Sequence, residues 1–263
     1  MNRILTYFFK QLMFLSIFYS HLPLDAATFH SILIGDTDDH ELKKVIKKDL
    51  SHMQNHIAEV FQALDAVEHF NQSIYVGKRT NATILDDLKT LNVGMEDIIF
   101  LYFSGHGFNT KKSRIENWPF LYFNHGDCGI NAFDIVEILT QHQPRLIICF
   151  VDCCNNILKP KEMPILMSRG SKIERLPLVN PLNIRRLFQE TKGIILISAA
   201  APGYYSEGTD EKGSCFTNSY IKFFKEKMAS HEAFNWEDIL SETQNKLWKR
   251  QRPYYELMLN ESK

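Results

Sequence analysis

The sequence predicts an α/β domain in three layers: a mostly parallel six-stranded sheet with helices on both faces. Three observations carry this. Five short β-rich runs are apolar on both faces instead of alternating, as strands covered on both sides must be. Stretches with a helical period separate them, the alternation that winds a parallel sheet. A sixth, aromatic run carries a proline near its start, which suits an edge strand with one unpaired side.

The five runs are "FHSILIG" (29–35), "QSIYVG" (72–77), "DIIFLYF" (97–103), "RLIICFV" (145–151) and "GIILISAA" (193–200), each closed by Gly, Ser or Asp. Between the first two, Leu42, Val45, Ile46, Met53, Ile57, Val60, Phe61 and Leu64 recur at steps of three and four, which predicts a helix over 41–64. "TNATILDDLKTL" opens with capping residues at Thr80 or Asn81, and "NAFDIVEILTQH" opens with Asn131 as its candidate cap. "CFTNSYIKFFKEKM" and "NWEDILSETQNKLW" read as two further helices, and "RPYYELML", with Pro253, as the edge strand. The stretch 159–186 breaks the alternation: it holds four prolines and no sustained period, and reads as a long loop.

A formal charge of −1 over 263 residues, with 44% hydrophobic and 23% charged residues, favours a globular domain and no nucleic-acid partner. Residues 1–27 differ. Arg3 and Lys10 precede an apolar stretch from Leu12 to Tyr19, with Pro23 and the Ala26-Ala27 pair after it, the layout of a secretory signal peptide. The apolar stretch is short of the ~20 residues of a membrane span, although counted from Ile4 an uncleaved anchor interrupted by Lys10 is the alternative. A secreted or periplasmic protein is expected, or else a membrane-anchored one. Five cysteines are an odd number, so an exported chain keeps at least one free thiol or an intermolecular pair, and with no C-x-x-C pair a zinc ribbon has no basis.

In doubly wound sheets, chemistry gathers at the carboxyl ends of the strands. One such end carries Ser104-Gly105-His106-Gly107, another Asp152-Cys153-Cys154. If the two strands are neighbours, an imidazole and a thiol emerge at one rim. An unperturbed thiol has a pKa of ~8.5, so a nearby base is needed to make it a nucleophile at neutral pH. The glycines let the backbone come close to a substrate, and the Gly107 N–H is a candidate oxyanion donor. Taken singly, a histidine after a strand is more often a polar loop residue, and a strand-end cysteine is more often buried and inert.

"FLYFSGHG" and, 48 residues from His106 to Cys154, "FVDCC" resemble the two catalytic blocks of the caspase and metacaspase cysteine peptidases. "IILISAAAPGYYSEGTDEKGSCFT" is similar to the family's later strand and its G-S-x-F-T turn, and "RPYY" is placed like its final strand. The resemblance covers about residues 29–259. It implies a caspase-like fold and a cysteine endopeptidase. His106 would be the general acid/base, Cys154 the nucleophile, and the Gly107 and Cys154 N–H groups the oxyanion donors. By the same resemblance, residues 28–158 are a large-subunit-like portion, 159–190 a linker and 191–263 a small-subunit-like portion. One departure stands out: metacaspases usually follow the nucleophile with His-Ser-Gly, and this chain has Asn155, Asn156 and Ile157. That departure is the basis for an alternative, a catalytically inactive caspase-like interaction module.

Asp49 lies inside the apolar stripe of 41–64, where a charge is costly unless paired or facing a wet cavity. By resemblance it matches one acidic pocket residue of metacaspases, and Asp152 matches the other. Two carboxylates there bind a guanidinium or ammonium group, so cleavage after Arg or Lys is expected, in protein or peptide substrates. The blander readings are a helix cap for Asp49 and a strand terminator for Asp152. The basic residues of the insert, Lys159, Lys161, Arg169, Lys172, Arg175, Arg185 and Arg186, make it either a self-cleavage site or a solvated loop. Asp36, Asp38 and Asp39 are oxygen-rich enough to suit calcium, yet equally suit a turn before a helix N-terminus. No cofactor is expected.

Overall fold

Alternation along each strand decides what lies above and below the sheet. The computed structural model describes residues 26–110, 117–125, 127–157, 180–248 and 251–260. In chain order its elements are β1 (Ala27–Gly35), α1 (Lys43–Gln62), β2 (Val67–Val76), α2 (Ile84–Lys89), β3 (Ile98–Ser104), β4 (Gly107–Phe108), β5 (Phe120–Phe123) and β6 (Cys128–Asn131). There follow α3 (Ala132–Thr140), β7 (Leu146–Asp152), α4 (Pro181–Ile184), β8 (Gly193–Ser198), β9 (Gly208–Thr209), β10 (Gly213–Ser214), α5 (Cys215–Met228), α6 (Trp236–Leu247) and β11 (Tyr254–Leu259).

The main sheet has the order β11-β8-β7-β3-β1-β2. Five strands are parallel, and β11 pairs antiparallel with β8 at one edge, where the proline at its start leaves no central ladder bond unmade. Phe29, Leu33, Phe100, Tyr102, Ile148, Phe150, Ile195 and Ile197 point to one face, into a core with α1, α4, α5 and α6. The intervening residues Ile32, Ile34, Ile99, Leu101, Phe103, Ile147, Cys149, Val151 and Leu196 point to the other, against α2, α3 and the small sheet β4-β5-β6. Each buried side chain of this size contributes roughly 1.5–3 kcal/mol relative to exposure. Three layers and a six-stranded mostly parallel sheet are therefore what the periodicities required.

Local signals held in several places. Asn131 caps α3 as its place in the sequence suggested, accepting the Phe133 N–H at 2.8 Å; the capping box of Asn235 and Asp238 on α6 was not anticipated. In two places the structure differs. The helix after Thr80 begins only at Ile84, and the Asn81 side chain accepts the Thr83 N–H at 2.9 Å. The predicted loop 159–186 ends early: Pro181–Ile184 is helical with Asn180 as its cap, and Arg185–Glu190 continues it in wider π turns. Leu187 and Phe188 sit in the core, and the Trp236 indole donates to the Leu187 carbonyl at 2.8 Å. A four-residue helix continued by π turns carries no 3.6-residue pattern long enough to read. Of the leader expected over residues 1–27, residues 1–25 lie outside the described residues, while Ala27 is the first residue of β1; Lys159, Lys161, Arg169, Lys172 and Arg175 of the insert also lie outside them. Among the described residues no helix is long and apolar enough to cross a membrane.

Candidate active site

β3 and β7 are neighbours in register, with Ser104 opposite Asp152. The pairing continues past the strand ends. The Gly105 N–H donates to the Asp152 carbonyl at 3.3 Å and the Asn109 N–H to the Asn156 carbonyl at 2.9 Å, so 104–109 runs beside 152–156. This brings the backbone of His106 alongside that of Cys154, at the carboxyl rim of the sheet.

Gly107 has a packing reason to be glycine, whatever its part in substrate approach. A Cβ there would lie 2.5 Å from the Cys154 carbonyl oxygen and 2.8 Å from Cys153 Cβ, so no side chain fits between the two segments. The Tyr122 N–H donates to the His106 carbonyl at 3.0 Å, which makes His106 and Tyr122 the bonded pair of the β4–β5 ladder. Bonded and non-bonded pairs alternate in antiparallel strands, so the Gly107 N–H points away from β5. Cys153 faces the packed core around α3, and burial pushes its thiol well up. Cys154 is half-buried; its Sγ lies 3.9 Å from the Ser206 carbonyl, and burial, joined by the Asp152 charge, pushes its thiol up to about 11. The sulfur therefore rests as S–H at neutral pH and needs a base. The five cysteines form no disulfide.

Asn155, where the resemblance expected histidine, is wholly buried and fully engaged. Its Nδ2 donates to the carbonyls of Asn117 (2.9 Å) and Ala200 (3.1 Å), and its Oδ1 accepts from Asn109 Nδ2 at 2.7 Å. Its backbone N–H and carbonyl pair with Tyr204 and Gly203. The side chain thus ties the segment after Cys154 to the histidine segment and to the loop after β8. No glycine turn is needed there.

Asp49 is well inside α1, so it caps nothing; it is 0% exposed and Asp152 is 3% exposed, both beneath the rim. Ser104 and Asp152 share the strand parity of Tyr102 and Phe150, which aims them at the α1 face. Ser104 Oγ donates to Asp49 Oδ2 at 2.9 Å and the Ser214 N–H to Asp49 Oδ1 at 2.7 Å. Ser214 Oγ donates to Asp152 Oδ2, so one serine bridges both acids. Ser206 Oγ (2.7 Å), Thr217 Oγ1 (2.7 Å) and the Thr217 N–H (3.2 Å) complete the donors on Asp152. All are neutral, and no cation pairs with either acid among the described residues. Burial and the charge of Asp152 hold the Asp49 carboxyl well above the usual range; burial raises Asp152 too, against the pull of its hydroxyl donors. Two like charges in a dry site disfavour double ionisation. Gly213, at φ +81°, packs directly on Asp49 and belongs to the β9–β10 hairpin that covers the pair.

His106, Gly107, Cys154, Asp49 and Asp152 are thus gathered at one rim. Ser104, Ser206, Ser214, Thr217 and Asn155 were missed as site residues. Ser104 had a local signal, a hydroxyl at a strand end in register with an acid; the others depend on contacts no spacing reveals. In the acidic stretch after β1, Asp36 Oδ2 accepts the Asn124 N–H at 3.0 Å and Asp38 Oδ2 lies 3.0 Å from His125 Nε2. Among the described residues no group of three His, Cys, Asp or Glu is placed to hold a metal ion.

A sequence model of the caspase domain matches residues 32–262, nearly the whole span of these elements. The chain belongs to the caspase domain family. At family level the chain is therefore a caspase-like cysteine peptidase, a class of enzyme that acts on proteins. A comparison with curated proteins found no match.

Proposed function

We propose that the protein is a cysteine endopeptidase that cleaves after Arg or Lys through a His106–Cys154 dyad. His106 takes the Cys154 proton, and the thiolate attacks the scissile carbonyl. The Gly107 and Cys154 N–H groups stabilise the oxyanion, a contribution of about 10²–10³ in rate per donor in comparable sites. His106 then protonates the leaving amine, and water hydrolyses the thioester. The single observation that carries the specificity is the Asp49–Asp152 pair: two buried carboxylates bridged by Ser214, beside Cys154, with no cation paired to either among the described residues. An incoming guanidinium or ammonium group supplies the missing charge and favours ionisation of both. The β9–β10 hairpin must move to admit it. The reading needs no cofactor.

Matched fluorogenic peptides ending in Arg, Lys and Asp test this. Arg and Lys peptides should be cleaved and the Asp peptide ignored, with Cys154→Ala abolishing turnover; preference for Asp refutes the acidic pocket. A second reading, an inactive interaction module, draws on the raised Cys154 thiol and the covered acids. Alkylation by iodoacetamide separates the two. Selective labelling of Cys154 that slows in His106→Ala supports the dyad, whereas sluggish labelling indifferent to His106 supports the module.

A further inference from the structure

Within the acidic stretch after β1, Asp39 alone reaches the histidine. His106 Nε2 lies 3.1 Å from Asp39 Oδ2. Asp39 is itself fixed from two sides. Its Oδ1 accepts the N–H groups of Glu41 (2.9 Å) and Leu42 (2.6 Å) at the entry to α1, and its Oδ2 accepts Asn124 Nδ2 (2.8 Å) from the turn between β5 and β6. The carboxylate is 5% exposed, so water does not compete for it.

Burial alone would raise this carboxyl. The hydrogen bonds from His106, the Leu42 N–H and Asn124, with the attraction of the ring's charge, overcome that and hold it well below the usual carboxylate range. An ionised carboxylate accepts and never donates, so the hydrogen between the two groups belongs to Nε2. In the neutral ring the lone pair is then on Nδ1, the nitrogen nearer the backbone, and that backbone runs beside Cys154.

We propose that Asp39 is the positioning residue of the His106–Cys154 pair, fixing the rotation and tautomer of the ring and stabilising the imidazolium formed when His106 takes the thiol proton. This rests on the dyad reading above. Asp39 acts through His106 and touches no substrate. Its helix-entry contacts are structural, and the test has to separate the two roles.

Asp39→Asn keeps an oxygen for the Glu41 and Leu42 N–H groups and loses the charge facing Nε2. With an Arg-ending peptide, kcat should fall roughly 100-fold or more, as for loss of a histidine-orienting carboxylate elsewhere, while KM changes less than about threefold. In a His106→Ala background the same substitution should cause no further loss of the residual rate, because the partner it acts through is gone. Long-range ¹H–¹⁵N correlation on the full chain needs no activity or variant, and should show His106 as the Nε2–H tautomer. An Nδ1–H tautomer overturns the role, as does a kcat within twofold of wild type in Asp39→Asn, or an equal loss with and without His106. If wild type and Cys154→Ala turn over alike, the dyad itself falls and this role with it; if Cys154→Ala is dead and Asp39→Asn is unimpaired, only this role falls.

Discussion

Two ends of the same sheet treat buried carboxylates in opposite ways. At the amino end of β3, Asp97 accepts His30 Nε2 (2.9 Å), the Thr28 N–H (2.8 Å) and the Gly94 N–H (2.7 Å). Each oxygen has donors, one from a titratable base, and the two donor segments, β1 and the turn at Gly94, are pinned to the start of β3. At the carboxyl end, Asp49 and Asp152 face each other across Ser214 with neutral donors only, and each raises the cost of the other's charge. The amino end uses an acid to hold the fold. The carboxyl end tolerates a pair whose charges oppose each other, which fits the proposed role of binding a cationic side chain.

The comparison can be broken from either side. The largest expected effect is Asp97→Ala, which strands His30 and two N–H groups in a buried place and should cost about 4 kcal/mol in urea denaturation, leaving the Arg-over-Asp substrate ratio unchanged. Next comes Asp49→Asn. Its amide can accept the Ser214 N–H and donate to Ser104, so the melting temperature should hold or rise. The kcat/KM for Arg and Lys peptides should nevertheless fall about 100-fold, close to 2.7 kcal/mol of lost transition-state binding. A large melting loss instead would mean that the pair stabilises the fold. Asn155→Ala removes the tie between three segments and should cost about 2 kcal/mol, with a fall in turnover larger than that in stability because Cys154 loses its support.

The smallest effect is in pH. Asp49 and Asp152 have raised values in the fold, so their charging penalty is absent below the ordinary carboxylate value of about 4 and grows as pH rises above it. Asp49→Asn should therefore match wild type near pH 4 and gain about 1 kcal/mol over it by pH 7. His56, which burial and the Lys225 charge lower to about 3, runs the other way, costing stability as pH falls below its unfolded value; it is common to both proteins and cancels in the difference. An advantage that shrinks toward pH 7 would reverse the assigned sign.

Much of this site was readable in one dimension. A fully apolar run ending in Ser-Gly-His-Gly, and another ending in Asp-Cys-Cys, are local patterns, and parallel winding leaves few ways to arrange them. Asp49 was conspicuous because a charge interrupted an apolar helical stripe. The donors around the acids were not readable, since Ser214 meets Asp49 from 165 residues away. Asp39 was seen only as one of three aspartates in a turn, and Asn155 only as a departure from a pattern.

The sequence by itself determined the layers, the mostly parallel sheet and the residue types at the strand ends, because periodicity and strand-end chemistry are properties of neighbouring residues. Only the tertiary structure decided which aspartate faces the imidazole, what replaces the glycine turn after Cys154, and that Asp49 and Asp152 share one serine and lie covered. Those outcomes depend on where distant backbone donors come to rest once the sheet has closed around them, and burial then turns small differences in position into large differences in charge.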